Sequence, residues 1–284
     1  MVRYGKSLKK LVKNVLKFCR RHNLPLHRSK SKNEKYDNHV VLALYNLFCF
    51  ADKSYEKFKT WLEPCMKELF GISSVPAVST LWVAWRRFPP WFLRRLLRLS
   101  GRGGRDKCAA LDPTHFQISR PSVSYCKRIN RKLEREPNRK TTIVSGTRSL
   151  RILDAKIAKY HRRHGLDDIP KMIGDWIKGR TVVADCEFDA EERFHKLIAA
   201  AGGKSVAPLR QKNVAYHRTK GSRRKQLRRK WPGRSYKRRG LSECVNSMIK
   251  RVMGETLRGL CVGQQARHFY AKCFTHNMLL RTQK

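Results

Sequence analysis

Acidic residues are scarce in this chain. Asp and Glu together number 21 against 65 Lys and Arg in 284 residues, for a formal net charge of +44. A compact body with that imbalance repels itself, so the chain is expected to work against a polyanion, and nucleic acid is the usual one. An anionic membrane surface is the rival partner. It calls for a lipid-facing amphipathic helix or an anchor, and no strong one stands out. Long apolar runs are also missing. The longest, Val40–Ala51, is too short to span a bilayer and contains polar residues. The basic segment Val2–Arg28 has Lys or Arg every few residues and no apolar stretch of secretory type. No pair of cysteines stands as C-x-x-C. The nine cysteines are odd in number and lie mostly in apolar stretches, which argues against a disulfide frame and a zinc ribbon. No internal repeat is visible. The expectation is a soluble, cytoplasmic protein bound to nucleoid DNA.

Several regions are distinguishable. Residues 1–38 form a basic arm ending in the polar stretch Arg28–Asn38. Within it Leu8, Leu11, Val12, Val15 and Leu16 fall at helical spacing. Such a helix either touches DNA backbone or packs on the body. Residues 39–100 read as helices. Val40, Val41, Leu44, Leu47 and Phe48 make one apolar face. Tyr55, Phe58, Trp61 and Leu62 make the next, which ends at Leu69 and Phe70. Ser79 is placed to cap a helix through Trp85. Pro89–Pro90 breaks the chain, and Trp91–Leu99 resumes with Arg94, Arg95 and Arg98 expected outward. Plain helical packing and a helix-turn-helix around Ser79 both fit this region. Gly101–Arg105 reads as a flexible basic linker.

From there the pattern changes to short strands. Cys108–Asp112, Phe116–Ser119, Thr141–Ser145, Leu150–Ile157, Thr181–Ala184 and Val206–Leu209 are candidates. Asp168–Lys178 and Glu191–Ala201 read as helices between them. Strands first, then strand–helix alternation, indicate an α/β mixed sheet flanked by helices. Residues 210–239 contain 14 Lys or Arg and no acid, with Tyr216, Trp231 and Tyr236 interleaved. That block is either a disordered loop or a segment neutralised by DNA phosphate. Residues 241–284 read as two helices separated near Gly259–Gly263.

Tyr236, Arg239, Glu243 and Lys250 are spaced by three, four and seven residues. On a helix they fall within a stripe roughly 60° wide, with Val245, Met248, Ile249 and Val252 on the other side. One helix thus presents an acid flanked by two cations and a phenol. Upstream, Asp112 and Asp185 each end an apolar strand, at the lip of a sheet where side chains converge on a ligand. An acid after a strand also serves as a turn or helix cap. Asp154, Glu187 and Asp189 compete for the same role, and Asp189 is well placed to cap the helix that follows it.

Leu111-Asp112-Pro113-Thr114 followed by Phe116 resembles the first-aspartate motif of DDE transposases from prokaryotic insertion sequences. Ala184-Asp185-Cys186-Glu187-Phe188-Asp189 resembles their second-aspartate motif. Tyr236, Arg239, Glu243 and Lys250 match the Y-x2-R-x3-E-x6-K signature at every spacing. Pro113 departs from the pattern, where the family often has a small polar residue. The resemblance implies a ribonuclease-H-like fold over residues 101–284, with a five-stranded mixed sheet between helices and a small helical region 39–100, a candidate for DNA binding, before it. It puts Asp112 on the first strand, Asp185 near the end of the fourth and Glu243 on a later helix.

The resemblance also implies chemistry. Two Mg²⁺ ions, with Mn²⁺ able to substitute, are held by Asp112, Asp185 and Glu243. In such sites the ions sit about 3.5–4 Å apart and clamp an in-line displacement. Water frees a 3′-hydroxyl, which then attacks target DNA. Tyr236, Arg239 and Lys250 hold DNA near the cut. The block Arg210–Lys237, with Arg228 and Arg229, tracks the backbone, and Trp231 either stacks on an extruded base or simply packs. The implied partners are double-stranded transposon ends and target DNA, engaged by a homodimer. A nuclease without strand transfer, and a non-enzymatic nucleic-acid-binding protein, are the alternatives. The second explains the charge but not the ordered acids.

Overall fold

Apolar periodicity builds the first layer of this chain. The computed structural model describes residues 5–27, 36–72, 74–104, 106–119, 123–128, 130, 138–158, 165–210 and 213–281. Most of the polar stretch Arg28–Asn38, Arg105 of the expected linker, two residues of the basic block (211 and 212) and the last three residues lie outside these. Helix α1 (Gly5–Arg21) buries Leu11, Val12, Val15, Phe18 and Cys19. It packs through that face on α2 (Asn38–Ala51) and leaves Lys9, Lys13, Lys17 and Arg20 exposed. Helix α2 is buried on every side from Val41 to Cys49. Asp37 starts it by accepting the Val40 N–H at 2.8 Å. Helices α3 (Tyr55–Leu62), α4 (Met66–Phe70) and α5 (Val78–Trp85) follow. Ser79 is not the cap of α5; Ala77 holds that position and makes no side-chain bond.

Helix α6 (Pro90–Gly101) begins with a proline at its first position, where the missing N–H costs nothing. Its arginines do not all point outward. Arg94 donates to Asp154 from Nε at 2.9 Å and from Nη2 at 2.8 Å, and Arg98 donates to the same carboxylate at 2.6 Å. Asp154 is fully buried, so the guanidiniums turn inward to neutralise it. Gly101 belongs to this helix rather than to a linker. A Cβ there would meet the Ile152 carbonyl oxygen at 2.5 Å, so the close approach of helix to strand requires glycine.

The two expected strands around Asp112 are one, β1 (Cys108–Ile118). After α7 (Val123–Arg128) come β2 (Asn138–Gly146), β3 (Ile152–Ile157), α8 (Ile169–Met172), β4 (Thr181–Val183), α9 (Lys196–Ala200) and β5 (Lys204–Val206). The helix expected over Asp168–Lys178 stops after one turn, short of Gly174. Glu191–His195 forms a π-helical turn that runs into α9. The basic block folds into α10 (Ser222–Arg229) and α11 (Gly233–Tyr236), followed by α12 (Gly240–Met253), β6 (Thr256–Leu257) and α13 (Val262–Leu280).

The sheet runs β3-β2-β1-β4-β5, with the two-residue β6 also paired to β1. β2 is antiparallel to β1 and β3, while β4 and β5 run parallel to β1. This is the ribonuclease-H-like α/β arrangement, a mixed sheet with helices on both faces and a helical region before it. One face, through Ala109, Leu111, Val144 and Val182, packs with Phe188, Phe194 and Ile198. The other, through Phe116, Ile143 and Ile152, packs with α12, α13 and the N-terminal helices. Asn277 of α13 ties the layers together. It accepts the Ile152 N–H and donates to the Ile152 carbonyl and to Ser100, all at 2.8 Å.

The Asp154→Ala variant is expected to lose about 3 kcal/mol in urea unfolding, because it strands two guanidiniums beside a buried surface. A loss below about 1 kcal/mol would remove this clamp from the account of the fold.

Candidate functional site

Strand pairing opens the site. β1 is hydrogen-bonded to β2 along Ala109–Gln117, but to β4 only through Cys108–Ala110 and to β6 only at Gln117–Ile118. On that second edge, residues 111–116 have no sheet partner among the described residues. Asp112 and Pro113 lie in this open stretch. A proline has no N–H to offer a ladder, so its place in a long strand is explained by the missing neighbour. The two-residue period of β1 puts Asp112 on the same face as Cys108 and Ala110, which is covered by Leu227 of α10 and by Tyr236.

Asp185 lies two residues beyond β4. Its Oδ1 accepts the Glu187 N–H at 2.8 Å and so caps the short 3-10 turn Cys186–Phe188. Glu243 lies on the first turn of α12, with its side chain 56% exposed. Arg239 precedes it in a 3-10 turn that runs directly into α12. Its guanidinium stands between two of the acids, with Nη2 2.7 Å from Glu243 Oε1 and Nη1 3.4 Å from Asp112 Oδ1. Asn246, one turn after Glu243, donates from Nδ2 to Asp112 Oδ2 at 2.8 Å. Its own Oδ1 is buried and has no hydrogen-bond partner among the described residues.

Charge links the group. Burial pushes the Asp112 carboxyl from 3.8 up to about 6; Arg239 and Asn246 oppose this, and the charges of Glu243 and Asp185 add to it. The Asp185 carboxyl is also raised, by burial first and by Glu187, against Arg239 and Lys140. Arg239 is held above its ordinary value. The charges of Glu243, Tyr236, Asp112 and Asp185 outweigh the cost of its burial. The three acids therefore feel one another and share one cation. No group of three His, Cys, Asp or Glu side chains stands ready to hold a metal ion among the described residues.

The remaining DNA-binding candidates make separate contacts. Tyr236 is half-buried, with its ring 5.0 Å from that of Trp231, which is 42% exposed. Lys250 Nζ lies 5.6 Å from the Phe116 ring, along β1 from Asp112. The Arg229 guanidinium lies 5.0 Å from the exposed Tyr216 ring, and Arg228 donates to Thr219 at 2.8 Å. Asp189 does not cap the following helix, whose first turn has no side-chain cap. It grips Arg224 of α10 at 2.9 Å through both oxygens and accepts the Arg210 N–H at 2.9 Å. Glu191 accepts the backbone N–H groups of Arg223 and Arg224 at 3.0 and 3.2 Å. These two acids anchor the basic block to the sheet. Sequence reasoning missed Asn246, although its position three residues after Glu243 on one helix face was a usable signal. It also missed the anchors, for which no local signal existed.

The sequence profile of the transposase DDE domain matches residues 103–278, which include every strand and α7 to most of α13. No curated protein and no solved structure matches the chain. No helix among the described residues is long and apolar enough to cross a membrane.

The raised Asp112 carboxyl predicts a pH dependence. The folded state binds this proton more tightly than the unfolded chain, so the stability it contributes is present below about pH 4 and lost as pH rises through 6. In the absence of metal, Asp112→Asn is expected to be more stable than the parent by about 2 kcal/mol at pH 8. That gap should close toward pH 4, as read by thermal unfolding across pH. An Asn variant less stable at pH 8 would contradict the buried, ionised carboxylate.

Proposed function

We propose a function from a family identity: this chain belongs to the transposase DDE domain family, and it cuts and rejoins DNA strands at the ends of a mobile element with Asp112, Asp185 and Glu243. The observation that carries the reading is the Arg239 guanidinium held between Asp112 and Glu243 where β1 and β4 part, with Asp185 acting on the same charges. Three mutually repelling carboxylates kept at the lip of a sheet are costly in themselves, and a bound cation relieves the cost.

The donor set fits a hard divalent cation such as Mg²⁺, with Mn²⁺ as a substitute. It consists of carboxylate oxygens, with the unpartnered Asn246 Oδ1 beside them. Asp112, Asp185 and Glu243 are the residues that would hold it. When bound, such ions activate water and stabilise charge on the scissile phosphate. The protein side of the reaction follows from positions. Asn246 orients the Asp112 carboxylate. Arg239 is free to turn its planar fork from the acids to a DNA phosphate, which it can bind through two parallel bonds. Lys250 and Tyr236 flank the same face. The anchored block from Arg210 to Lys237, including Arg228 and Arg229, lies along the flanking backbone, and Trp231 presents an exposed ring to it. Water attack frees a 3′-hydroxyl, and the same centre directs that hydroxyl onto target DNA. Residues 101–284 carry this chemistry and residues 39–100 support it. Two ends must meet, so the reading includes a homodimer on double-stranded DNA.

Glu243→Gln is expected to abolish Mg²⁺-dependent cleavage and the joining of a pre-cut end, while end binding stays within about twofold. Nicking at the parental rate would remove Glu243 from the site. Asn246→Ala is expected to weaken Mn²⁺ binding by about tenfold in calorimetry, as for other residues that orient a ligand. Unchanged Mn²⁺ affinity would return Asn246 to a purely structural role.

A further inference from the structure

Away from the cleft, the described surface carries large apolar side chains in a place where packing does not explain them. Trp91 at the start of α6 is 66% exposed, Trp82 in α5 is 41% exposed and Val83 beside it is 58% exposed. The Arg86 guanidinium lies 4.7 Å from the Trp82 ring centroid. Between the turn that joins α5 to α6 and the segment after α1 runs a groove of about 480 Å³. Trp91, Arg86, Arg87, His27 and Asn38 contribute to its walls, and among the described residues no acid does. Among the described residues Asn38 Oδ1 is buried without a donor, while its Nδ2 donates to the Pro25 carbonyl at 3.1 Å. The wall formed by Leu24, Pro25 and His27 continues directly from α1, whose exposed face carries Lys9, Lys13, Lys17 and Arg20.

An aromatic shelf flanked by cations suits one ligand chemistry. A second copy of the chain would set a +44 body against another. A polyanion is attracted instead. Exposed indole faces need flat partners, and a paired duplex keeps its base faces stacked inside. An unpaired strand offers both bases to stack and phosphates to neutralise. We propose that this groove binds single-stranded DNA. A base stacks on Trp91, Arg86 and Arg87 meet the backbone, and Asn38 Oδ1 accepts from a base N–H. The site does not depend on the three acids and stands whether or not they cleave.

The test uses the full chain without divalent metal and a labelled mixed-sequence oligonucleotide of about 20 nucleotides, single-stranded or annealed to its complement. Fluorescence anisotropy gives both affinities. Trp91→Ala is expected to weaken single-strand binding about tenfold, and duplex binding by less than about twofold. Trp91→Phe should keep most of the affinity, because it keeps a flat ring. Arg86→Ala supplies the same comparison if Trp91→Ala fails to fold. Binding is read without divalent metal and therefore without cleavage, so failure of the catalytic reading and failure of this one are distinguishable. Equal losses on both DNA forms, or no loss on the single strand, would overturn the proposal. So would a change from dimer to monomer in light scattering, which would make the groove a protein interface.

Discussion

The structure depends on keeping negative charge concentrated at one point of a strongly basic protein. Asp112 sits in the middle of β1, mostly buried, beside two other carboxylates that raise its proton affinity. Left alone, such a cluster would take up protons or spread apart. Arg239 prevents this by bonding to Glu243 and Asp112 together. One guanidinium thus adds a charged contact to the apolar packing of α12 on the sheet. That helix carries Glu243 on its first turn and, one turn later, the Asn246 amide that holds Asp112 from the other side.

Where acids are scarce, each described one tends to have a structural or electrostatic assignment. Asp154 neutralises two arginines between α6 and β3. Asp106 accepts the N–H groups of Arg148 and Ser149 and the Ser149 hydroxyl, closing the turn between β2 and β3. Asp189 and Glu191 hold the basic block. These contacts explain how a segment with no acid of its own can be ordered. Arg224 is paired with Asp189, backbone N–H groups of Arg210, Arg223 and Arg224 are accepted by carboxylates of the loop after β4, and Leu227 adds an apolar anchor against Val183 and Val206. The same loop begins with Asp185. Anything that repositions the basic block therefore acts on the second acid of the cleft through a few residues of chain.

Much of the fold was legible because it rests on period. The helices α1, α2, α3 and α6, the sheet strands and the pair α12 and α13 follow apolar spacings of three to four or of two. Asp112, Asp185 and Glu243 are picked out by their order, the interval pattern around Glu243 and the family resemblance, and the fold brings Asp112 and Glu243 to one arginine. The shortfalls share a cause. Gly101 reads as a linker residue because its role is contact with Ile152, far along the chain. Pro113 interrupts the strand pattern because its compatibility depends on where β4 ends and β6 begins. Asp168–Lys178 has helical composition, yet Pro170 and Gly174 bound a single turn and the rest packs as turns under the sheet.

By itself the sequence determined the charge, the spacing of the signature and the alternation that makes β1 present Asp112 to one face, since these are local properties of chain and side chain. Tertiary structure alone decided which cations are free and which are paired. Arg94, Arg98 and Arg224 look like surface arginines until a buried carboxylate from a distant segment is placed beside them. It also decided that Asn246 meets Asp112 and that Asp189 serves the basic block rather than the next helix. The physical reason is range: periodicity acts over one or two turns, whereas charge neutralisation in a desolvated place is settled by whichever partner the fold brings within about 3 Å.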